Sequence, residues 1–261
     1  MAGEVLTVIR DGVAKITLNR PEIGNAIDDG LGRALGESVE RIAADPGVRA
    51  VLLTGAGRMF CAGGDIAGMR AGVDVLAANM EQNLQPLHDT MLRLARLPVP
   101  VISALNGPLG GGGIALALCA DIVLAAASMK LRGGYSAIGL SPDLGASWFL
   151  TQRVGPVRAR EILFLNRSLD AAECLALGIV SAVHADDRLA DEAEALAVRL
   201  AGAATQSLAK IKRLTEVAQS QSLEAHLAME RDGMIASART ADAREGITAF
   251  IEKRAPSFTG R

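Results

Sequence analysis

Two glycine-rich turns, each following a short apolar run, constrain this chain more than any other feature. The first reads Phe60-Cys61-Ala62-Gly63-Gly64-Asp65 and lies downstream of the strand-like run at residues 50–54. The second reads Asn106-Gly107-Pro108-Leu109-Gly110-Gly111-Gly112-Gly113 and follows a second strand-like run at residues 99–104. Where a strand passes through glycine into a helix, the first backbone N–H groups have no intrahelical acceptor. Without side chains, these positions let a ligand oxygen come close to the main chain. Two such turns brought together would form an oxyanion hole, and one donor of that kind lowers a barrier by roughly 2.7–4 kcal/mol.

Composition narrows what such a site serves. A 261-residue chain with 50% hydrophobic and 21% charged residues is globular and long enough for a large core. A net charge of −2 gives no electrostatic footprint for nucleic acid, and one Trp, one Tyr and five Phe are too few for base-stacking platforms. Cys61, Cys119 and Cys174 are widely spaced and odd in number, so no disulfide framework is expected and a reducing cytoplasm is the simplest setting. Residues 1–4 lack the basic and apolar character of a signal peptide. The longest nearly apolar segment, 114–127, is too short to span a bilayer and contains Asp121. A soluble protein is expected.

Along the chain, residues 5–9 and 13–18 read as strands joined by Arg10-Asp11-Gly12, a hairpin signal. A helix is predicted over 29–44, ending before Asp45-Pro46-Gly47. Strand-like runs at 50–54, 99–104 and 121–125 alternate with helices at 75–97 and 114–119, which implies α/β architecture. Beyond Trp148 the pattern is helical: 157–165, 171–177, 187–201, 207–218, 223–237 and 241–254. Ser222 and Thr240 are suited to cap the last two. No Gly/Pro/Ser-rich linker precedes this tail, so it is expected to pack on the core or on a neighbouring subunit.

Gly110-x-Gly112-x-x-Ala115 also fits the spacing of a dinucleotide loop, but no acidic strand end follows about 20 residues later. The other motifs point elsewhere. Phe60–Ile66, Asn106–Asp121, Ile138–Gly145, Asn19–Ala26 and Ala249–Arg254 together resemble the crotonase, or enoyl-CoA hydratase/isomerase, superfamily, in order and from about Val5 to Phe258. The resemblance implies an α/β fold, a crotonase-type spiral of ββα units over residues 1–200, with a C-terminal helical trimerisation region over 201–261. It also implies an acyl-CoA thioester substrate and assembly as a homotrimer or hexamer. No metal or redox cofactor is expected, coenzyme A being part of the substrate. The peptide N–H groups of Gly64 and Gly112 would hold the thioester oxygen while an enolate forms.

The chain departs from the hydratase pattern where the chemistry is decided. Hydratases of this superfamily carry two glutamates, one three residues after the oxyanion-hole glycine and one in the following active-site loop; Ala115 and Tyr135 occupy those positions here. Adding water across a double bond suits two carboxylates, and neither is present. One acid remains, Asp143 in Gly139-Leu140-Ser141-Pro142-Asp143-Leu144-Gly145. Read alone, Asp143 is a good N-cap for a helix at 146–151. The loop also resembles that of the 1,2-epoxyphenylacetyl-CoA isomerase group and related enoyl-CoA isomerases, which implies that Asp143 moves the proton in a double-bond shift.

Other readings stay open on the sequence: an atypical hydratase, a non-catalytic CoA-binding protein, and a 4-chlorobenzoyl-CoA-dehalogenase-like hydrolase in which Asp143 is the nucleophile and His88 its histidine. His184 and His226 show no metal-ligand spacing. The resemblance further implies that Ile23, Gly64 and Ile66 line the CoA path, with Tyr135 in the substrate pocket. Phe250 and Lys253 would approach the nucleotide from an adjacent subunit. The shape of the acyl pocket is expected to depend on a loop at residues 70–85.

Overall fold

A computed structural model describes residues 3–261. Two strands open the chain, β1 (Val5–Arg10) and β2 (Val13–Leu18), paired antiparallel with Val5 opposite Leu18. Asp11 and Gly12 turn between them with φ of 50° and 78°, the left-handed pair that suits a two-residue hairpin. Helix α1 (Asp29–Ala44) follows, capped by Asp28, whose carboxylate accepts from Leu31 N. Its buried positions Leu31, Leu35, Val39 and Ile42 recur at helical spacing and form one face.

The large sheet runs β1, β2, β3 (Ala50–Gly55), β4 (Val101–Leu105), β6 (Ile122–Ala126) and β9 (Ala182–His184), parallel from β2 onward. Its inner strands are β3 and β4, almost wholly buried, as a parallel sheet covered on both faces requires. Alternate residues serve different cores. Val51, Leu53 and Val101 face the side holding α1, whereas Leu52 and Ile102 face a second cluster. That second cluster is closed by a later helix presenting Leu189, Ala193, Ala197 and Ala201 at four-residue intervals. Three alanines in the stripe let the helix lie close to the sheet.

After β3 the chain forms α2 (Ile66–Ala71) and α3 (Leu76–Ala95), then β4, a two-residue strand β5 (Leu109–Gly110) and α4 (Gly112–Leu118). The next pass is β6 (Ile122–Ala126), β7 (Lys130–Arg132) and α5 (Ala146–Leu165), then β8 (Ser168–Asp170), α6 (Ala171–Ala176) and β9 (Ala182–His184). Strands β5, β7 and β8 make a small second sheet. An isolated bridge from Cys61 to Leu109 adds the first glycine turn to its edge. Each pass therefore gives one strand to the large sheet, one short pairing to the small sheet, then a helix: the ββα spiral.

The tail comprises α7 (Leu189–Ala201), α8 (Thr205–Val217), α9 (Leu223–Ala238) and α10 (Ala241–Glu252). Ser222 and Thr240 cap α9 and α10 through Ala225 N and Ala243 N, as the sequence indicates. α7 belongs to the core, but α9 buries no residue of its own. Of the two placements expected for the tail, the core of its own chain or a neighbouring subunit, α9 does not take the first. The chain's end is tied in. Asp242 accepts from Thr259 N and Gly260 N, while Arg49 donates to Ala203 O, Phe258 O and Thr205 Oγ1. Among the described residues, no helix is long and apolar enough to cross a membrane.

Candidate active site

The two glycine turns meet main chain to main chain. Gly63 has φ +99°, and a Cβ there would lie 2.8 Å from Gly110 O. A Cβ on Gly113 would lie 2.5 Å from Cys61 O. Only glycine permits both approaches. Gly110 N donates to Cys61 O at 3.1 Å, joining one turn to the other. Two asparagines hold the intervening chain. Asn25, fully buried, donates to Ala56 O, Met59 O and Phe60 O, and accepts from Arg20 N. Asn106 accepts from Gly55 N and donates to Gly57 O. These bonds satisfy backbone groups that a loop of this kind would otherwise leave unpaired.

The same geometry leaves two donors over. In the parallel bridge between Ile27 and Gly64, Ile27 N donates to Gly63 O and Asp65 N donates to Ile27 O. The bonds go to the residues flanking Gly64, so its own N–H lies on the side away from Ile27. Gly112 is the first residue of α4, where an N–H has no intrahelical acceptor. Both glycines line a cavity of about 490 Å³ and also a second lobe of about 660 Å³. Asp143, Met69, Met80 and Leu84 line both lobes as well, so the lobes meet at Gly64, Gly112 and Asp143.

The wall of the first lobe is mostly apolar, with Met59, Ile66, Leu109, Ile138 and Leu140. The second is more polar, with Asp28, Asp65, Asn79, Gln82 and Asn83. The segment at 70–85, expected as a loop, is largely helical, the end of α2 and the first turns of α3. Met59, Met69 and Met80 were not legible as wall residues. Methionine carries no distinguishing pattern in sequence, and its flexible thioether suits an adaptable apolar surface.

Asp143 is not a cap. The capping position of α5 is Gly145, with no side-chain bond, because Leu144 (φ 52°) and Gly145 (φ 92°) hold the chain left-handed before the helix starts. The Asp143 carboxylate instead accepts from Tyr135 Oη at 2.7 Å. Its Oδ1 lies 3.8 Å from where a Cβ on Gly112 would stand. The other wall acids are placed differently. Asp28 caps α1 and pairs with Arg20; burial opposes its charge, but that pairing and Leu31 N–H hold its pKa below the usual value. Asp65 caps α2 through Ala67 N and Gly68 N, and Asp29 is exposed in the first turn of α1.

Tyr135 is buried, 8% exposed, yet its side chain reaches the cavity wall. Burial first, and then the charge of Asp143, raise the pKa of its phenol. The hydroxyl therefore stays protonated and remains a donor. Ala115 is fully buried and presents only a methyl group. The three cysteines are free and buried, their thiols pushed up to about 12 by desolvation.

Of the residues singled out in the sequence, Gly64, Gly112, Asp143, Tyr135 and Ile66 share the first lobe. Ile23 is exposed in a short turn, Pro21–Ile23, and lines neither lobe. Phe250 and Lys253 stand on α10 and at its C-cap, likewise away from both lobes. His88 sits on α3 but contributes to neither wall, and its Nε2 is buried without a partner. Among the described residues, no group of three or more His, Cys, Asp or Glu could hold a metal ion.

A scan against family models matches residues 8–261 to the enoyl-CoA hydratase/isomerase family. The chain is 39% identical over 258 residues to 1,2-epoxyphenylacetyl-CoA isomerase of Escherichia coli, the match covering 98% of each chain. Among solved structures, an enoyl-CoA hydratase from Polaromonas sp. superposes with a TM-score of 0.93 at 33% identity, covering 98% of this chain and 100% of that one. An enoyl-CoA hydratase from Bacillus anthracis gives 0.93 at 30% identity, over 99% and 100%.

Proposed function

Because this chain belongs to the enoyl-CoA hydratase/isomerase family, we propose that it is an acyl-CoA enzyme that shifts a double bond along an enoyl thioester, with Asp143 as the one carboxylate that moves the proton. The observation that carries this reading is the company Asp143 keeps. It stands where the two lobes meet beside Gly64 and Gly112, it does not cap a helix, and a buried alanine and a tyrosine occupy the two glutamate positions of hydratases.

In this reading Gly64 N–H and Gly112 N–H receive the thioester oxygen. Asp143 takes a proton from the α-carbon of a β,γ-enoyl thioester, and the electron pair of that C–H bond passes into the conjugated enolate. The acid so formed returns the proton to the γ-carbon as charge leaves the oxygen. The product is the α,β-enoyl thioester, with no water added and nothing oxidised. A single carboxylate suffices, because acid and base act in turn.

Hydration is the weaker reading, since no second carboxylate stands in the positions that activate water in that pattern. A dehalogenase-like displacement needs His88 beside the aspartate, and His88 is off the cavity wall. Residues 201–261 serve as an assembly region, joining copies as a trimer or hexamer. Exposed Met234, Ile247, Phe250 and Ile251 support that part of the reading. Phe250 and Lys253 would then reach the nucleotide of a neighbouring copy, along the path that Ile23 and Ile66 begin. Three free buried cysteines suit a reducing cytoplasm.

Asp143→Asn tests the core of the proposal. The amide keeps the size of the side chain and a hydrogen-bonding oxygen but cannot take the proton. Double-bond migration, followed by absorbance, and exchange of the α-proton in deuterated buffer should both be lost. Affinity for the thioester should be retained. Full isomerisation by Asp143→Asn would remove the mechanism, and incorporation of solvent oxygen into product would favour hydration.

A further inference from the structure

We propose that Tyr135 is the positioning residue for Asp143: its hydroxyl, donated to Oδ1, fixes the carboxylate so that Oδ2 is the oxygen that carries the proton. The inference rests on the reading of Asp143 as the base. Asp143 sits in a half-buried loop, and among the described residues Tyr135 Oη is its one side-chain hydrogen-bond partner. Asp28 and Asp65, by contrast, are fixed by backbone N–H groups. A carboxylate without such anchors rotates freely unless something else holds it.

Tyr135 is built to do this. Its ring is buried, and a phenol has few rotatable bonds to freeze. The main chain around it is tied on both sides: Gly134 N donates to Asn166 Oδ1 at 2.6 Å, and Leu140 N donates to Tyr135 O at 3.1 Å. The next side chain, Ser136, donates to Leu163 O on α5 at 2.9 Å. The hydroxyl thus projects from a rigid turn, and it bonds an acceptor eight residues along the chain. Where a hydratase has a second acid, this chain has a neutral donor aimed at the acid that remains.

Tyr135→Phe removes the hydroxyl and keeps the ring. Thioester KM should stay within about twofold while kcat falls about tenfold or more, from the low end of the range expected for a lost hydrogen bond to a charged group. The acidic limb of the pH–rate profile should move to higher pH, because the carboxylate loses a donor that favours its charged form. Tyr135 is the one tyrosine in the sequence, so expression with 3-fluorotyrosine labels this position alone. The more acidic phenol is the stronger donor and should move the same limb to lower pH. Opposite shifts from the two replacements are not a structural effect of repacking.

A Tyr135→Phe enzyme with unchanged kcat and an unmoved acidic limb would overturn the proposal. If Tyr135→Phe does not fold, the fluorotyrosine enzyme decides, and an unmoved limb there overturns it equally. Asp143→Asn separates the two levels. A dead Asp143→Asn with an unaffected Tyr135→Phe discards the positioning role alone, whereas an active Asp143→Asn discards the base and its positioner together.

Discussion

In the glycine turns, main chain packs on main chain, with Gly63 against Gly110 and Gly113 against Cys61. In the tail the reverse holds: Phe250 is 86% exposed, Ile251 73% and Met234 71%, and α9 buries nothing of its own. The first region is complete within one chain. The second leaves several of its largest apolar side chains bare within the single chain. One region is closed by the absence of side chains, and the other leaves large side chains open.

The same substitution made in both regions should give opposite signs. Gly113→Ala forces a methyl group against Cys61 O, backbone that cannot swing aside. A loss of about 3 kcal/mol is expected, toward the upper end for overpacking, read as a lowered midpoint in urea. Activity should fall with it, since Gly112 moves with its neighbour. Next in size is Phe250→Asp. The isolated chain should keep its helicity and melting behaviour, because Phe250 touches little of its own fold. Association, followed by analytical ultracentrifugation, should weaken by more than about tenfold, as burying a Phe contributes about 1.5–3 kcal/mol. A wild-type chain that sediments as a stable monomer at micromolar concentration would break the comparison outright.

The smallest effect sharpens it. Gly233 lies within α9, where an added Cβ would come no closer than 3.9 Å to Lys210. Gly233→Ala should therefore stabilise the helix by about 0.5–1 kcal/mol, through the lower backbone entropy of the unfolded chain. If it destabilises instead, the α9 surface is packed against a neighbouring copy more tightly than the single chain reveals.

Much of the framework was legible from residues because its signals are local. Asp11-Gly12 marks the hairpin, the apolar spacing from Leu31 to Ile42 marks α1, and Ser222 and Thr240 mark helix starts. The short strands were not legible. β5, β7, β8 and β9 have two or three residues each, too few for an alternation, and Leu109–Gly110 lies inside a glycine run. The helical segments expected separately at 146–151 and 157–165 prove to be parts of α5 kinked at Gly155. The bond from Tyr135 to Asp143 was invisible for a different reason. Pro142-Asp143 has the chemistry of a cap, and only the left-handed pair Leu144-Gly145 puts the capping position at Gly145, two residues beyond Asp143, and frees the carboxylate.

The N–H of Gly64 belongs to the main chain, as does that of Gly112, and this has a consequence for how the protein can vary. No exchange of one side chain for another deletes such a donor; only proline does. The groups at positions 115, 135 and 143 are side chains, each open to replacement by a single codon change. The side chains at 115, 135 and 143 can therefore change one at a time, whereas losing the donors at 64 and 112 takes a proline or a shift of the whole turn, as Gly113→Ala would cause. In the proposed reading, the proton-moving groups are thus free to vary around donors that side-chain exchange does not delete.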